Sequence, residues 1–459
     1  MIALKIQPVL WTLLCLGSFG SPESIAAPLD DHEEAEVEEE GPAWFALVGG
    51  DVYSGTGAVL RGATVVAKDG KIEEIGYDVH LPEEAEVLDV TGYRVYPGLV
   101  AINSFGLFGG GSDLENTVDP FNRNMVLALA SGITTALSGG QVAKLKYGDI
   151  ENVVIGTPRY VDMSYSTGNP SSKRSTREKL EGAADYLRRY SQWEIDKRSN
   201  KDLKEPSKSG VDENYVRVLR GQARAAFSAN ERTDLLEIAR LARRFGFRPT
   251  IRGCREGWTV ADELGRAGAS AIITARDRRT KNEQLVREGG SSIENAAILH
   301  SSGVSVTIIP GSAGISLGGI VGRDLMALPV EAGFAVRGGL PESAAFAGIT
   351  IEPARELGVD HRIGTLELGK DADMIITDGD VMHYQTFVQW AVVDGKVVYD
   401  KQAELYFAHI RPRPEATLAP ESRLDAGETA EEEPEEEPEE GAGDGAEEAG
   451  AEEAGDGGL

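Results

Sequence analysis

The sequence predicts an α/β fold: a (β/α)8 barrel of the TIM type, flanked at both ends by short-strand β-structure. Three observations carry this reading. Apolar strand-like runs alternate with helix-periodic segments between residues 97 and 357, and a span of roughly 260 residues suits an eightfold βα barrel. A compact series of short strands and Gly-containing turns precedes that stretch. A hairpin-like run, Val388 to Tyr399 around Asp394-Gly395-Lys396, follows it.

Before the barrel, Ala46-Leu47-Val48, Ala63 to Ala67, Lys71 to Ile75, Val87 to Val90 and Tyr93 to Tyr96 read as strands. Asp69-Gly70 and Thr91-Gly92 punctuate them as turns. Pro97-Gly98 then feeds the apolar strand Leu99 to Ile102, the first of the barrel. Gly109-Gly110-Gly111 reads as a βα loop, because no Gly-Lys-Ser/Thr follows to make it a phosphate cradle. A helix over Val126 to Ala130, stopped by Gly132, leads to the strand Ile133 to Leu137.

Residues 171–231 are charged and mostly helical, with Leu180, Ala184, Leu187 and Trp193 as a partial apolar stripe over Arg177 to Lys201. Acids interleave the basic pairs Arg188-Arg189 and Lys197-Arg198, as on a solvated face. Thr233 can cap a helix with Leu235, Ile238, Ala239, Ala242 and Phe245 on one face and Gly246 as its stop. Strand Pro249 to Arg252, helix Val260 to Ala267 and strand Ser270 to Thr274 follow. Ser291-Ser292-Ile293-Glu294 reads as a capping box for a helix through His300. Strand Val304 to Ile309 ends at Pro310-Gly311, and a helix spans Glu342 to Leu357.

With 459 residues, 41% of them hydrophobic, the chain can bury a large core. Its formal net charge of -29 is concentrated in two places. Residues 421–459 carry about -16 and residues 30–40 about -8, leaving only about -5 for the rest. Two acidic segments and no large basic patch argue against a nucleic-acid partner. Lys5, the apolar run Val9 to Phe19 and the small residues Ser24-Ile25-Ala26 read as an export signal, cleaved near residue 27. The apolar run is too short to span a membrane comfortably. The expectation is an exported protein, periplasmic or secreted, with no membrane span once mature. Cys254 then stands alone, so no intramolecular disulfide is possible. Residues 28–43 read as an acidic linker, and residues 411–459, rich in Pro, Glu, Gly and Ala, as a disordered acidic tail.

Several phrases of the chain together resemble the metal-dependent amidohydrolases, specifically exported proteins of the imidazolonepropionase-like kind. They are Asp69-Gly70-Lys71-Ile72, Leu88-Asp89-Val90-Thr91-Gly92, Pro97-Gly98-Leu99 with its apolar strand, and Gly132-Ile133-Thr134-Thr135. The most specific is Ile363-Gly364-Thr365-Leu366-Glu367-Leu368-Gly369-Lys370-Asp371-Ala372-Asp373 before the strand Met374 to Ile376. The resemblance covers residues 44–405. It implies that 44–96 and 358–410 build one small β-sandwich from both chain ends, with the barrel, 97–357, between them.

The resemblance also implies a zinc site at the C-terminal ends of the barrel strands. The family places His-x-His on the first strand, one His on each of two middle strands, and a proton-accepting Asp on the last. The matching positions here are Asn103 and Phe105, then either Ser228 or Asn230, then Gly253, then Gly311. A phenyl ring, a glycine and a carboxamide are poor zinc ligands beside His nitrogen, Cys sulfur or carboxylate oxygen. None of the six histidines (His32, His80, His300, His361, His383 and His409) falls at a strand end. The expectation is therefore no metal and no cofactor where the family would use zinc.

Two functions follow. The first is a degenerate amidohydrolase that binds a small molecule or a partner, such as an active relative in a hetero-oligomer. The second is a hydrolase of C–N bonds in small or cyclic amides using non-metal groups. Glu231 or Glu256 would be its base, and Arg252 or Arg255 would stabilise developing charge. Cys254 has no evident His partner nearby in sequence, so a small buried hydrophobe is the simpler reading of it.

Overall fold

A computed structural model describes residues 42–111, 113–277, 290–316 and 322–404. The expected signal peptide, most of the acidic linker and the acidic tail lie outside the described residues.

The strands before the barrel fall where turn chemistry puts them: β1 (Trp44–Tyr53), β2 (Val59–Lys68), β3 (Lys71–Gly76), β4 (Glu86–Asp89) and β5 (Arg94–Pro97). Asp69 and Gly70 both have positive φ in the β2–β3 turn, the conformation that a two-residue hairpin requires. From the other end come β15 (Met374–Thr377), β16 (Val388–Val393) and β17 (Lys396–Asp400). The eight strands form one continuous sheet in the order β17-β16-β15-β5-β1-β2-β3, with β4 pairing β1. The antiparallel ladder of β15 on β5 joins the two halves of the chain. Phe45, Leu47, Val65, Ile72, Val95, Met374, Ile376 and Val392 pack into a core of their own. Strands from both chain ends thus share one continuous sheet, where the sequence reading expected a β-sandwich.

Between these halves the chain forms two further sheets. One contains β6 (Leu99–Ala101), β7 (Ile133–Ser138), β8 (Gln141–Lys144) and β9 (Val154–Gly156). The other contains β10 (Tyr160–Asp162), β11 (Arg224–Ala229), β12 (Pro249–Gly253), β13 (Ser270–Ile273) and β14 (Ser305–Ile308), all parallel. Val100, Ile102, Leu137, Val142, Ile155, Tyr160, Ile272 and Ile309 come from both sheets, yet share one apolar cluster with Ala354, Leu357 and Val359. The sheets therefore face a common interior. Gly348 and Ile349 bridge them: Ile308 N–H donates to Gly348 C=O and Val100 N–H to Ile349 C=O, both at 2.9 Å.

The expected strand–helix alternation holds from β6 to β7 and from β10 to β14, and is broken between β7 and β10. After β7 the chain turns back at Gly139-Gly140, both at positive φ, and β8 runs antiparallel to β7. Two consecutive glycines favour a hairpin over a crossover helix there. Three helical expectations are also corrected. Helix Arg232–Phe245 begins one residue before Thr233, with Glu231 at its N-cap position. Ser292 accepts from Glu294 N–H in a turn, but the helix it precedes, Asn295–Ser301, has Glu294 at its N-cap and no side-chain cap. The helix expected over Glu342 to Leu357 is two, Glu342–Ala347 and Ile351–Leu357, because residues 348–349 serve the two sheets.

Candidate functional site at the strand ends

In a barrel of this kind, chemistry gathers where the strands end. Asn103 lies just beyond β6 and is exposed. Phe105 is 63% exposed. Its N–H donates to Ala313 C=O at 3.1 Å, and its ring lies so close to Gly314 that a Cβ there would sit 2.4 Å from ring carbons. The first strand thus presents an amide and a phenyl face, and the loop after β14 has a glycine beneath that ring. Gly311, in the same loop, is exposed.

On the parallel sheet, Ser228 is exposed and in register with Arg252. Arg252 pairs with Asp162 at 2.6 Å, and its guanidinium lies 5.3 Å from the Tyr160 ring centroid. A cation and an anion therefore bridge β12 and β10 across the end of β11. Gly253 has φ +97°, and a Cβ there would meet Asn230 Oδ1 at 2.4 Å, so glycine is required on two counts. Asn230 C=O accepts from Glu256 N–H at 2.9 Å, and its Oδ1 accepts a long bond from Arg255 N–H at 3.4 Å. Asn230, Gly253, Arg255 and Glu256 thus meet in one tight turn.

The charged candidates have defined surroundings. Arg255 pairs with Asp277 at 2.8 Å. Glu256 is buried, and its two oxygens accept backbone N–H bonds from Arg232 at 2.8 Å and Gly290 at 2.7 Å. Those bonds make it an organiser of the turn between two segments. Glu231 is exposed at the start of helix Arg232–Phe245. Cys254 is fully buried, and burial pushes its thiol up to about 12. It is a packed hydrophobe at pH 7, as the sequence suggests.

The donor set can be tested against zinc. Among the described residues, no three His, Cys, Asp or Glu side chains are grouped so that they could hold a metal ion. The strand ends supply an amide, a phenyl, a hydroxyl and hydrogens instead. These residues do not fit a zinc ion, and no step is routed through one.

Two buried ionic clusters escaped the sequence reading. In the first, Lys144 at the end of β8 is fully buried, 2.7 Å from Asp371, 3.0 Å from Asp373 and paired with Asp394. Arg362 also pairs with Asp371, and Lys146 with Asp394. Burial alone would lower the Lys144 pKa, but the carboxylates of Asp373, Asp394 and Asp371 outweigh it and raise it. Burial likewise acts to raise Asp371 and Asp394, and their cations hold both below the ordinary carboxylate value. For Asp373 burial wins and its pKa rises. In the second cluster, buried Glu356 accepts from Arg224 at 2.9 Å and from Thr250, beneath the Arg252 level. A lysine closing the apolar strand Val142-Ala143 was the one local sign of the first cluster; its partners lie over 220 residues away.

With this geometry in hand, the comparisons with known proteins agree on one class. Residues 222–403 match the family model described as "Amidohydrolase family". A curated relative, "Amidohydrolase tasK" of Hapsidospora irregularis, is 31% identical over 84 residues, 18% of this chain. The aligned stretch spans about 9% of that relative's length. Among solved structures, an amidohydrolase from Thermotoga maritima MSB8 superposes with a TM-score of 0.58 at 23% identity, covering 78% of this chain and 100% of that one. A dihydropyrimidinase from Brevibacillus agri NCHU1002 has a TM-score of 0.46 at 13% identity, covering 80% and 96%. The Thermotoga likeness shows a shared α/β fold of the TIM-barrel kind. The match to the amidohydrolase family is carried by residues 222–403.

Proposed function

We propose that this chain is an amidohydrolase-family pseudoenzyme: an eightfold βα barrel that no longer hydrolyses C–N bonds through zinc and binds a ligand or partner at its mouth. The observation that carries this reading is the donor chemistry of the strand ends. Asn103, Phe105, Ser228 or Asn230, Gly253 and Gly311 stand at the five family positions, and none of these residues brings an imidazole, thiolate or carboxylate. Losing one ligand could relocate the chemistry; losing all of them removes the reason to hold the ion. The mouth's charges are spent on each other, Arg252 on Asp162 and Arg255 on Asp277. An intact, histidine-bearing relative in a hetero-oligomer is the partner this reading favours, outside the cytoplasm as the N-terminal segment suggests. Among the described residues no helix is long and apolar enough to cross a membrane.

A second reading has one observation in its favour. Exposed Ser228 lies in register beside the Arg252 guanidinium, a hydroxyl next to a charge stabiliser. Glu256 is a poor base for it, since both its oxygens already accept backbone bonds.

The test measures metal content and turnover together. Protein purified without chelator should carry far less than one zinc per chain, and small linear and cyclic amides should show no turnover above buffer. Stoichiometric zinc with chelator-sensitive hydrolysis would overturn the proposal. Metal-free turnover abolished in Arg252→Gln would install the second reading.

A further inference from the structure

Away from the mouth, a cavity of about 500 Å³ opens between the β-domain and the barrel. Met326 and Val330 form one wall, Val388 and Tyr399 the other, and Tyr384 and Phe387 stand on its rim. The two rim aromatics are 74% and 55% exposed, an unusual amount of aromatic surface to leave in water. Ala130 and Ser131 also line it. They sit at the C-terminal end of helix Arg123–Ala130, immediately before β7 begins at Ile133.

The chain itself supplies a matching segment at this place. Gln402 lines the cavity, and the described residues run on only to Glu404. The next six are Leu405-Tyr406-Phe407-Ala408-His409-Ile410. Four of them are large and apolar or aromatic. Residues 411–459, by contrast, contain no aromatic residue and no Val, Ile or Met. Six residues reach up to roughly 20 Å when extended, so the stretch can lie along the groove directly from its attachment point. Burying a large apolar side chain is worth about 1.5–3 kcal/mol, which favours the groove over water for such a segment.

We propose that residues 405–410 dock into this groove, with Tyr406 and Phe407 as anchors against Tyr384, Phe387 and Val388. The docked segment completes the β-domain and fixes where the acidic tail begins. That tail, with about -16 of charge over residues 421–459, then leaves from beside the groove. The proposal does not depend on the pseudoenzyme reading.

Disulfide trapping in the full chain tests it. Cysteine replaces Met326 together with Phe407 in one variant, and Met326 together with Ala419 in a control. Mild copper–phenanthroline oxidation should give an intramolecular 326–407 bridge within minutes, seen by peptide mass mapping, and at least tenfold less 326–419 bridge. In parallel, the full-chain variant Tyr406→Asp/Phe407→Asp should bind bis-ANS several-fold more brightly than the wild type. Equal trapping at 407 and 419, or wild-type dye binding as strong as the variant's, would overturn the proposal and leave the groove open to a small apolar ligand. An intermolecular 326–407 bridge, running as a dimer, would also overturn it and assign the groove to a second copy of the chain.

Discussion

Replacing Lys144 by Met is the sharpest test of what joins the barrel to the β-domain. Lys144 lies on β8, whereas Asp371, Asp373 and Asp394 belong to the β-domain and the turns beside it. Met nearly matches the lysine stem in volume, so packing is conserved and only the charge is lost. What remains is three carboxylates, two of them almost inaccessible: Asp371 keeps Lys71 and Arg362, Asp394 keeps Lys146, and Asp373 loses its paired cation. Removing one partner of a buried ion pair costs ~3–5 kcal/mol, because the other is left uncompensated. At about 2.1 cal/mol/K of unfolding entropy per residue, a body of this size loses roughly 4–7 °C of Tm.

The pH dependence gives a second, sign-specific readout. Asp371 and Asp394 are held below the ordinary carboxylate value. Their contribution is fully present above an unfolded pKa of about 3.9 and is lost as pH falls through the folded values. Lys144 is raised, so its contribution is present below about 10.4 and is lost as pH climbs through its folded value. Asp373 is raised and acts in the opposite sense to the other two acids. The wild type should therefore weaken at both extremes. In Lys144→Met the orphaned carboxylates prefer to be protonated, so stability should rise as pH falls from 7 towards 5. Adding Asp373→Asn and Asp394→Asn should recover part of the loss. Urea titrations at intervals from pH 3 to 11 measure all of this. A Lys144→Met cost under about 1 kcal/mol, or a variant whose stability does not rise between pH 7 and 5, would refute the reasoning.

Other expectations are narrower. Gly98→Ala places a Cβ 1.9 Å from Thr134 Oγ1 and 2.7 Å from Thr134 Cβ, between β6 and β7; it should cost ~1–3 kcal/mol by denaturant melting, only partly recovered by Thr134→Ala, which keeps that Cβ. Glu356→Gln weakens the bonds from Arg224 and Thr250; a loss of about 1.5 kcal/mol is expected, at the low end because Arg224 is partly exposed. Cys254, buried and with its thiol pushed up to about 12, should react with a disulfide reagent at pH 8 only at the rate of unfolding. Prompt labelling of the native protein would show that the strand end after β12 opens readily.

What the sequence determined by itself was everything written in local chemistry. The hairpin at Asp69-Gly70, the start of the first barrel strand after Pro97-Gly98 and the amphipathic helix stopped by Gly246 rest on φ preferences and on apolar spacing within a dozen residues. The absence of imidazole at Asn103, Phe105, Ser228, Asn230, Gly253 and Gly311 was equally legible, since it depends on residue identity alone. Tertiary structure decided the rest. Strand direction set the β7–β8 reversal, and the needs of two neighbouring sheets split the helix at Gly348. Glu256 became a backbone organiser because Arg232 and Gly290 were brought to its two oxygens. Lys144 found Asp373 across 229 residues of chain. A side chain's reach is a few ångströms and its partner is chosen by topology, so no window of neighbouring residues contains that information.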